Sequence, residues 1–423
     1  MRYPATPSNS IRDRFQLGNK ELWAVSVASG IRSIGFGATW PYMAIFLNQT
    51  LGVPVYFVGV IFTLGSIVSI VFSIIGGALA DLFGRKKVLL LGSSISGILF
   101  LVVALLLSVS APAVLIIAAF IFTSAGGSLI FPSANALVAD VTSPAERTNG
   151  YVVYRIMSNL GWAIGPLSGA LIYDSGIIWI FTLITVSSVI QGIMVLFLVK
   201  DRWKERGKKE NLKKTGKISI LSFDRFLIIF TVGTFFLTLV SSQFSVTLPV
   251  FMKEKIVSVT SYIGLIYAVN GVVVVVGQYP ITNFMKKYPE ILSMILGAAA
   301  YSVGYLLVGF STSLLDLMGD MVIITVGENL VSPVMNSIVS KIAPRDKLAR
   351  YLGFMGMMNS SGRAFGPSVG TFLISLYAFN GLRLWSTIDL FGLASIALFF
   401  AFSRVLPKIS VRPNEHQVED HSA

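Results

Sequence analysis

Four charged side chains, Arg32, Arg155, Glu328 and Arg363, stand inside long stretches that are otherwise apolar. Placing an ionisable group in hydrocarbon costs about 2.5–3.5 kcal/mol on insertion scales, so each is a candidate for function before packing. Glu328 is the one carboxylate near the centre of such a stretch. Low dielectric penalises its ionised form, which suits a group that takes up and releases a proton. Arg363 is equally central in the next stretch, so a fixed structural pair of Glu328 with Arg363 is the competing reading. Arg32 lies near mid-depth of the first stretch and Arg155 nearer one end of the fifth. Three positive charges against one negative would make a shared cavity net positive. Ser124, Asn159, Gln243, Asn270, Asn329 and Asn359 lie at similar depths, with Trp40, Trp162, Tyr267 and Phe131. Aromatic walls with a few convergent polar groups suit an amphiphilic small molecule. Asp316, Asp320 and Asp389 fall near the ends of their stretches or off the centre and read as peripheral.

The elements that must hold these groups are membrane helices. Only 13% of the 423 residues are charged and 54% are hydrophobic, against about 25% charged in soluble domains. Twelve spans are expected, at about 22–48, 55–80, 88–110, 113–139, 149–173, 177–199, 225–252, 261–285, 290–311, 314–340, 351–376 and 382–404. Each is long enough to cross roughly 30 Å of hydrocarbon. Gly126-Gly-Ser-Leu-Ile-Phe-Pro132-Ser-Ala-Asn135 recurs 201 positions later as Gly327-Glu-Asn-Leu-Val-Ser-Pro333-Val-Met-Asn336. Gly161-x-x-x-Gly165-Pro166-x-x-Gly169 recurs at the same offset as Gly362-x-x-x-Gly366-Pro367-x-x-Gly370. Two motifs in register imply a duplicated six-helix bundle, the architecture of carriers whose halves rock about a central site. The expected domains are residues 1–199, a basic linker 200–224, residues 225–404 and a polar tail 405–423.

Lys and Arg gather in the N-terminal segment, alternate loops, linker and tail, while the opposite loops hold only Lys253, Lys255 and Arg383. The basic side is the cytoplasmic one by the positive-inside rule, so both termini are expected in the cytoplasm. The net charge of +13 therefore sets topology and implies no nucleic acid partner. With no cysteine, disulfides and thiolate metal sites are excluded. His416 and His421 sit in the tail, so no metal site is expected. No phosphate-binding G-x-x-x-x-G-K-[ST] or H-E-x-x-H sequence is present, which argues against an ATPase or a zinc protease. No cofactor is implied, and the chain is not expected to be an enzyme.

Between spans 2 and 3 stands Gly77-Ala-Leu-Ala-Asp81-Leu-Phe-Gly84-Arg85-Lys86-Lys87. It resembles the G-x-x-x-D-[RK]-x-G-R-[RK] signature of the major facilitator superfamily, departing only at Leu82, where a basic residue is usual. Gly77 permits close approach of a helix and Gly84 allows a tight turn. The resemblance implies a gate in which Asp81 caps span 11 near Tyr351 and Arg85, beside Lys86, pairs with Asp140 at the end of span 4. A helix N-terminus favours a partly buried carboxylate by up to about 2 kcal/mol. In the second half the matching loop, Gly277 to Lys287, lacks the aspartate and keeps only Lys286 and Lys287.

In span 5, Arg155, Asn159, Gly161, Gly165, Pro166 and Gly169 look like the superfamily's antiporter motif, with Ala170 where a glycine is usual. Residues four apart share a helix face, so the glycines form a strip for close backbone approach. Pro166 removes a backbone donor and should bend the helix. An arginine and a glutamine usual in span 4 of the twelve-helix drug/proton antiporter branch are missing among Phe122 to Ala125, which shifts the expected proton coupling to Glu328.

The resemblance implies two six-helix bundles of inverted three-helix repeats in the plasma membrane, working as a monomer by alternating access. The expected activity is proton-coupled export of amphiphilic or anionic small molecules. Uptake of an organic anion or sugar is the alternative, and a non-transporting sensor or scaffold the remote one.

Overall fold

The computed structural model of the protein describes residues 18–143, 146–201, 225–255, 261–344 and 347–405. Fourteen α-helices, with no strand among the described residues, assemble into twelve spans. Spans 1 to 6 are Lys20–Ile45, Val55–Phe83, Arg85–Ser108, Ala113–Val141, Arg147–Tyr173 and Ile177–Leu198, the first prolonged by a π-helical turn at Phe46–Thr50. Span 7 is broken into Arg225–Ser241 and Thr247–Lys255, and span 10 into Leu314–Val331 and Met335–Ile342. Spans 8, 9, 11 and 12 are Ser261–Met285, Glu290–Val308, Leu348–Tyr377 and Gly381–Val405. Of the expected linker and tail, only Lys200, Asp201 and Val405 fall among the described residues.

Local chemistry explains several ends. Spans 2, 4 and 9 start directly after Pro54, Pro112 and Pro289, which carry no N–H to leave unpaired and cannot continue a helix backwards. Asn19 caps span 1 by accepting from Leu22 N at 3.0 Å, and its Nδ2 donates to Val141 O at 2.8 Å, fastening the end of span 4 beside it. Gly84 turns the chain between spans 2 and 3 at φ 95°, a conformation that a side chain would strain.

Pro166, Pro132 and Pro367 lie inside unbroken helices, so the expected bend at Pro166 does not interrupt span 5. Pro333, the counterpart of Pro132, does fall in a break. Breaks free backbone carbonyls that must be satisfied inside the membrane. Those of span 7 are met by tyrosines: Tyr305 Oη donates to Ser241 O at 3.2 Å and Tyr267 Oη to Phe244 O.

The duplication is carried through to packing. Span 1 packs on spans 5 and 6, span 3 on 4 and 6, and span 2 on 4; the second half repeats each pair six spans on. The halves meet through span 2 on 11 and span 8 on 5. The glycine strips make the 1–5 and 7–11 contacts. A Cβ added at Gly165 would meet Ile34 O at 2.7 Å and Gly37 Cα at 2.8 Å, and one at Gly366 would meet Leu239 O at 2.8 Å.

Among the described residues, nine spans are apolar and long enough to cross a membrane by length and composition alone. The other three are spans 1, 5 and 11, which carry Arg32, Arg155 and Arg363.

Because backbone atoms cannot step aside as a flexible side chain can, Gly165→Ala should destabilise the protein by about 1–3 kcal/mol, the usual range for overpacking. Gly356→Ala, at a helical position with open space around it, should be neutral or mildly stabilising. Thermal melts of the two purified variants check this directly.

Candidate functional site

Among the described residues, close contact between the bundles is seen away from the Gly84 turn. Thr63 Oγ1 donates to Ala364 O at 2.6 Å and lies 2.7 Å from Ser368 Oγ, joining span 2 to span 11. A Cβ at Gly59 would meet Ser368 Cα at 2.6 Å, and one at Gly271 would meet Ala163 Cα at 2.7 Å, so spans 8 and 5 touch backbone to backbone. At the other end Gly77 of span 2 and Gly353 and Gly356 of span 11 have nothing within 4 Å of an added Cβ. The bundles are sealed at one end and splayed at the end bearing Gly84.

Between them lies a cavity of about 920 Å³. Arg32, Arg155, Asn159 and Arg363 all line it. Trp40, Trp162, Ser124 and Phe131 line it too, and among the described residues no Asp or Glu does. None of the three guanidinium groups donates a hydrogen bond or forms an ion pair among the described residues. Arg155 and Arg363 are exposed to the cavity. Arg32 is deeper: its Nε is buried without a partner and its Cζ lies 5.5 Å from the Phe36 ring centroid. Apart from Ser245, Ser360, Arg363 and Pro367, the wall comes from the first bundle.

Glu328 is not on that wall. Its Oε2 accepts from Asn270 Nδ2 at 3.1 Å, and the same amide donates to Thr325 Oγ1 at 3.0 Å. Among the described residues the pair with Arg363 is not formed. Depth along a span follows from residue count, whereas the direction a side chain faces does not, and here Glu328 faces span 8. The other polar groups of the second bundle are likewise turned to neighbours. Gln243 Nε2 donates to Leu239 O and Gly366 O, Asn329 Nδ2 to Val273 O, and Asn359 Nδ2 to the Met335 sulfur.

At the gate motif, Arg85 Nη1 donates to Asp140 Oδ1 at 2.5 Å and to Ala136 O at 3.1 Å. Lys86 Nζ donates to Leu196 O and Val199 O, closing the end of span 6. Asp81 belongs to span 2, and its side chain is outside the described set. Open space surrounds Gly77 of span 2 and Gly353 and Gly356 of span 11, and the expected contact of Asp81 near Tyr351 lies outside the described side chains.

The second half holds a bridge that its loop sequence does not announce. Lys341 Nζ lies 2.8 Å from Glu290 Oε1, which also accepts from Ser337 Oγ at 2.7 Å. Lys341 stands 201 positions after Asp140. An ion pair between the third and fourth helices thus has a counterpart between the ninth and tenth with its charges reversed, in which Lys341 keeps the repeat offset and Glu290, standing 201 positions after Leu89, does not.

These features, with the helix pairing of two repeated bundles, agree with the sequence comparisons. The chain matches the Major Facilitator Superfamily over residues 25–367 and 230–418. It belongs to that superfamily. It is a multi-pass membrane transporter rather than an enzyme. A Na(+), Li(+), K(+)/H(+) antiporter of Planococcus maritimus is 25% identical over 379 residues, covering 82% of this chain and 88% of the relative. The multidrug resistance protein MdtH of Proteus mirabilis is 26% identical, covering 80% and 82%. Among solved structures, the nucleoside transporter NupG superposes with a TM-score of 0.77 at 16% identity, covering 90% of this chain and 99% of NupG. That likeness is one of superfamily fold.

Glu290→Lys combined with Lys341→Glu should recover the stability lost by either single change. The side chains are partly solvated, so a double-mutant cycle should give a coupling of no more than about 1 kcal/mol. A cycle with zero coupling would leave the clamp without energetic content.

Proposed function

We propose that this superfamily member is a proton-coupled exporter of amphiphilic anions. The observation that carries the reading is the wall of the cavity: three arginines without hydrogen-bond acceptors, aromatic surface, and no carboxylate. A cation-rich cavity with low-dielectric walls concentrates anions. Arg155, Asn159 and Arg363 supply donors along it, and the apolar wall takes the rest of the substrate. Glu328 is the proton carrier on this reading, because it is the carboxylate at mid-depth of a span. Export is supported by the antiporter-like strip from Arg155 to Gly169 and by relatives named as an antiporter and as multidrug resistance proteins.

Arg85, Lys86, Lys286, Lys287 and Lys341 mark the splayed end as cytoplasmic. The cavity then faces the cytoplasm, with the plasma membrane as the compartment and a monomer as the working unit. Gly77, Asp81 and Gly84 form the surface that closes on span 11 when the bundles rock, with the Arg85–Asp140 bridge holding its base. The glycine strips Gly161–Gly169 and Gly362–Gly370 keep each bundle rigid while this happens.

Vesicles of opposite orientation, loaded with a labelled amphiphilic anion under an imposed pH gradient, test direction and coupling together. Accumulation should occur in inside-out vesicles with an acidic lumen, and accumulation only in right-side-out vesicles would mean uptake. Glu328→Gln keeps the Asn270 contact and breaks no ion pair, so its melting temperature should stay close to that of the parent. Its gradient-driven accumulation should fall to the level seen without a gradient, while exchange at zero gradient persists. A variant that still accumulates substrate at the expense of protons would remove Glu328 from the coupling step. Gly77→Leu has room in the present arrangement but not against a closing span 11. It should bind substrate normally and lose transport; unimpaired transport would show that this surface never closes.

A further inference from the structure

The three arginines of the cavity are not equivalent. Arg155 and Arg363 reach into open cavity space. Arg32 is set into the wall of the first bundle. Its Nε is buried and unpartnered, its Cζ sits 5.5 Å from the Phe36 ring, and Gly127 of span 4 leaves the face beyond Nη2 clear, since an added Cβ there would come within 3.6 Å. Contact with the aromatic face holds the planar guanidinium in one orientation. Its fork of donors is left without an acceptor.

A row of rings begins at that point. Phe36 lies 5.6 Å from Trp162, edge to face, and is stacked 5.1 Å from Trp40; Trp40 meets Phe62 at 5.6 Å, and Phe62 meets Phe120 at 5.7 Å. All five rings line the cavity. Trp40 is eight residues beyond Arg32 on one helix, about 12 Å further toward the sealed end at 1.5 Å per residue. The cavity therefore has a cationic fork at mid-depth and an apolar, aromatic blind end above it.

We propose that Arg32 is the anchor for the substrate's anionic head and that the row from Phe36 to Phe120 receives a planar apolar tail. The substrate class is then an aromatic carboxylate or a similar planar amphiphilic anion, bound head toward the mouth and ring toward the sealed end. This rests on reading the cavity as an anion site and adds to it the group that selects the head and the shape of the tail. A carboxylate meets the guanidinium fork through two parallel charge-assisted hydrogen bonds, and ring faces stack in offset or edge-on geometry.

The test uses the full chain in lipid nanodiscs, with isothermal titration calorimetry of 2-naphthoate and of its neutral analogue 2-naphthalenemethanol. The acid should bind about 10- to 100-fold more tightly, the worth of charge-assisted hydrogen bonds. Arg32→Gln should bring the two affinities together, and Arg32→Lys, which keeps the charge and loses the fork, should retain part of the preference. Trp40→Ala should weaken both ligands while leaving their ratio unchanged. If Arg32→Lys keeps the whole preference, the fork contact is refuted. If the preference survives Arg32→Gln and disappears in Arg155→Gln or Arg363→Gln, the anchor is wrong and the anion reading stands. Equal binding of acid and alcohol by the parent protein would overturn both.

Discussion

Three guanidinium groups held inside membrane spans, with no ion pair to an acid among the described residues, set the terms for the rest of the molecule. Arginine does not lose its proton in proteins, so the charge cannot be shed by neutralisation. It must face water or an anion, because hydrocarbon would cost several kcal/mol for each group. Spans 1, 5 and 11 therefore line the cavity and fall short of the apolarity that the other nine spans reach. They are carried inward by their neighbours, with spans 3, 6, 9 and 12 packed behind the cavity-lining helices. A cavity of about 920 Å³ follows from the same need.

The contacts that seal one end are cheap to make and to break. Thr63 gives Ala364 O one hydrogen bond, worth about 0.5–1.5 kcal/mol net, and the remaining contacts across spans 2 and 11 or 8 and 5 come largely from glycine backbone meeting backbone or small side chains. Both described ion pairs of the splayed end, Arg85 with Asp140 and Glu290 with Lys341, lie within a bundle. Neither of these ion pairs has to break when the bundles move as rigid bodies.

Span count and most ends were legible in the sequence, because apolar length and the twofold repeat at an offset of 201 depend only on residue order. Ser261–Met285 lies where it was expected, and spans 2, 4 and 9 start where proline marks them. The breaks were not legible. Pro132 and Pro333 occupy matching positions, yet span 4 runs through its proline and span 10 does not, so the outcome is set by packing around each helix. Azimuth was hidden for the same reason. Arg32, Arg155, Asn159 and Arg363 share a cavity as their depth suggested, whereas Glu328 turns to Asn270. The Glu290–Lys341 bridge was concealed by its reversed charges, since likeness of residue type was the criterion that failed to find it.

The breaks also account for the difference between the bundles. In the second half, interrupted helices release carbonyls that hydrocarbon cannot satisfy, and polar side chains are consumed in meeting them. Tyr305 and Tyr267 serve the break in span 7, while Gln243 spans from Leu239 O to Gly366 O. Few polar groups of that bundle are left to face the cavity. The first bundle has uninterrupted spans 1, 4 and 5, so Ser124, Asn159 and its two arginines remain available to a ligand. On the proposed reading, one half recognises the substrate and the other carries the proton on Glu328.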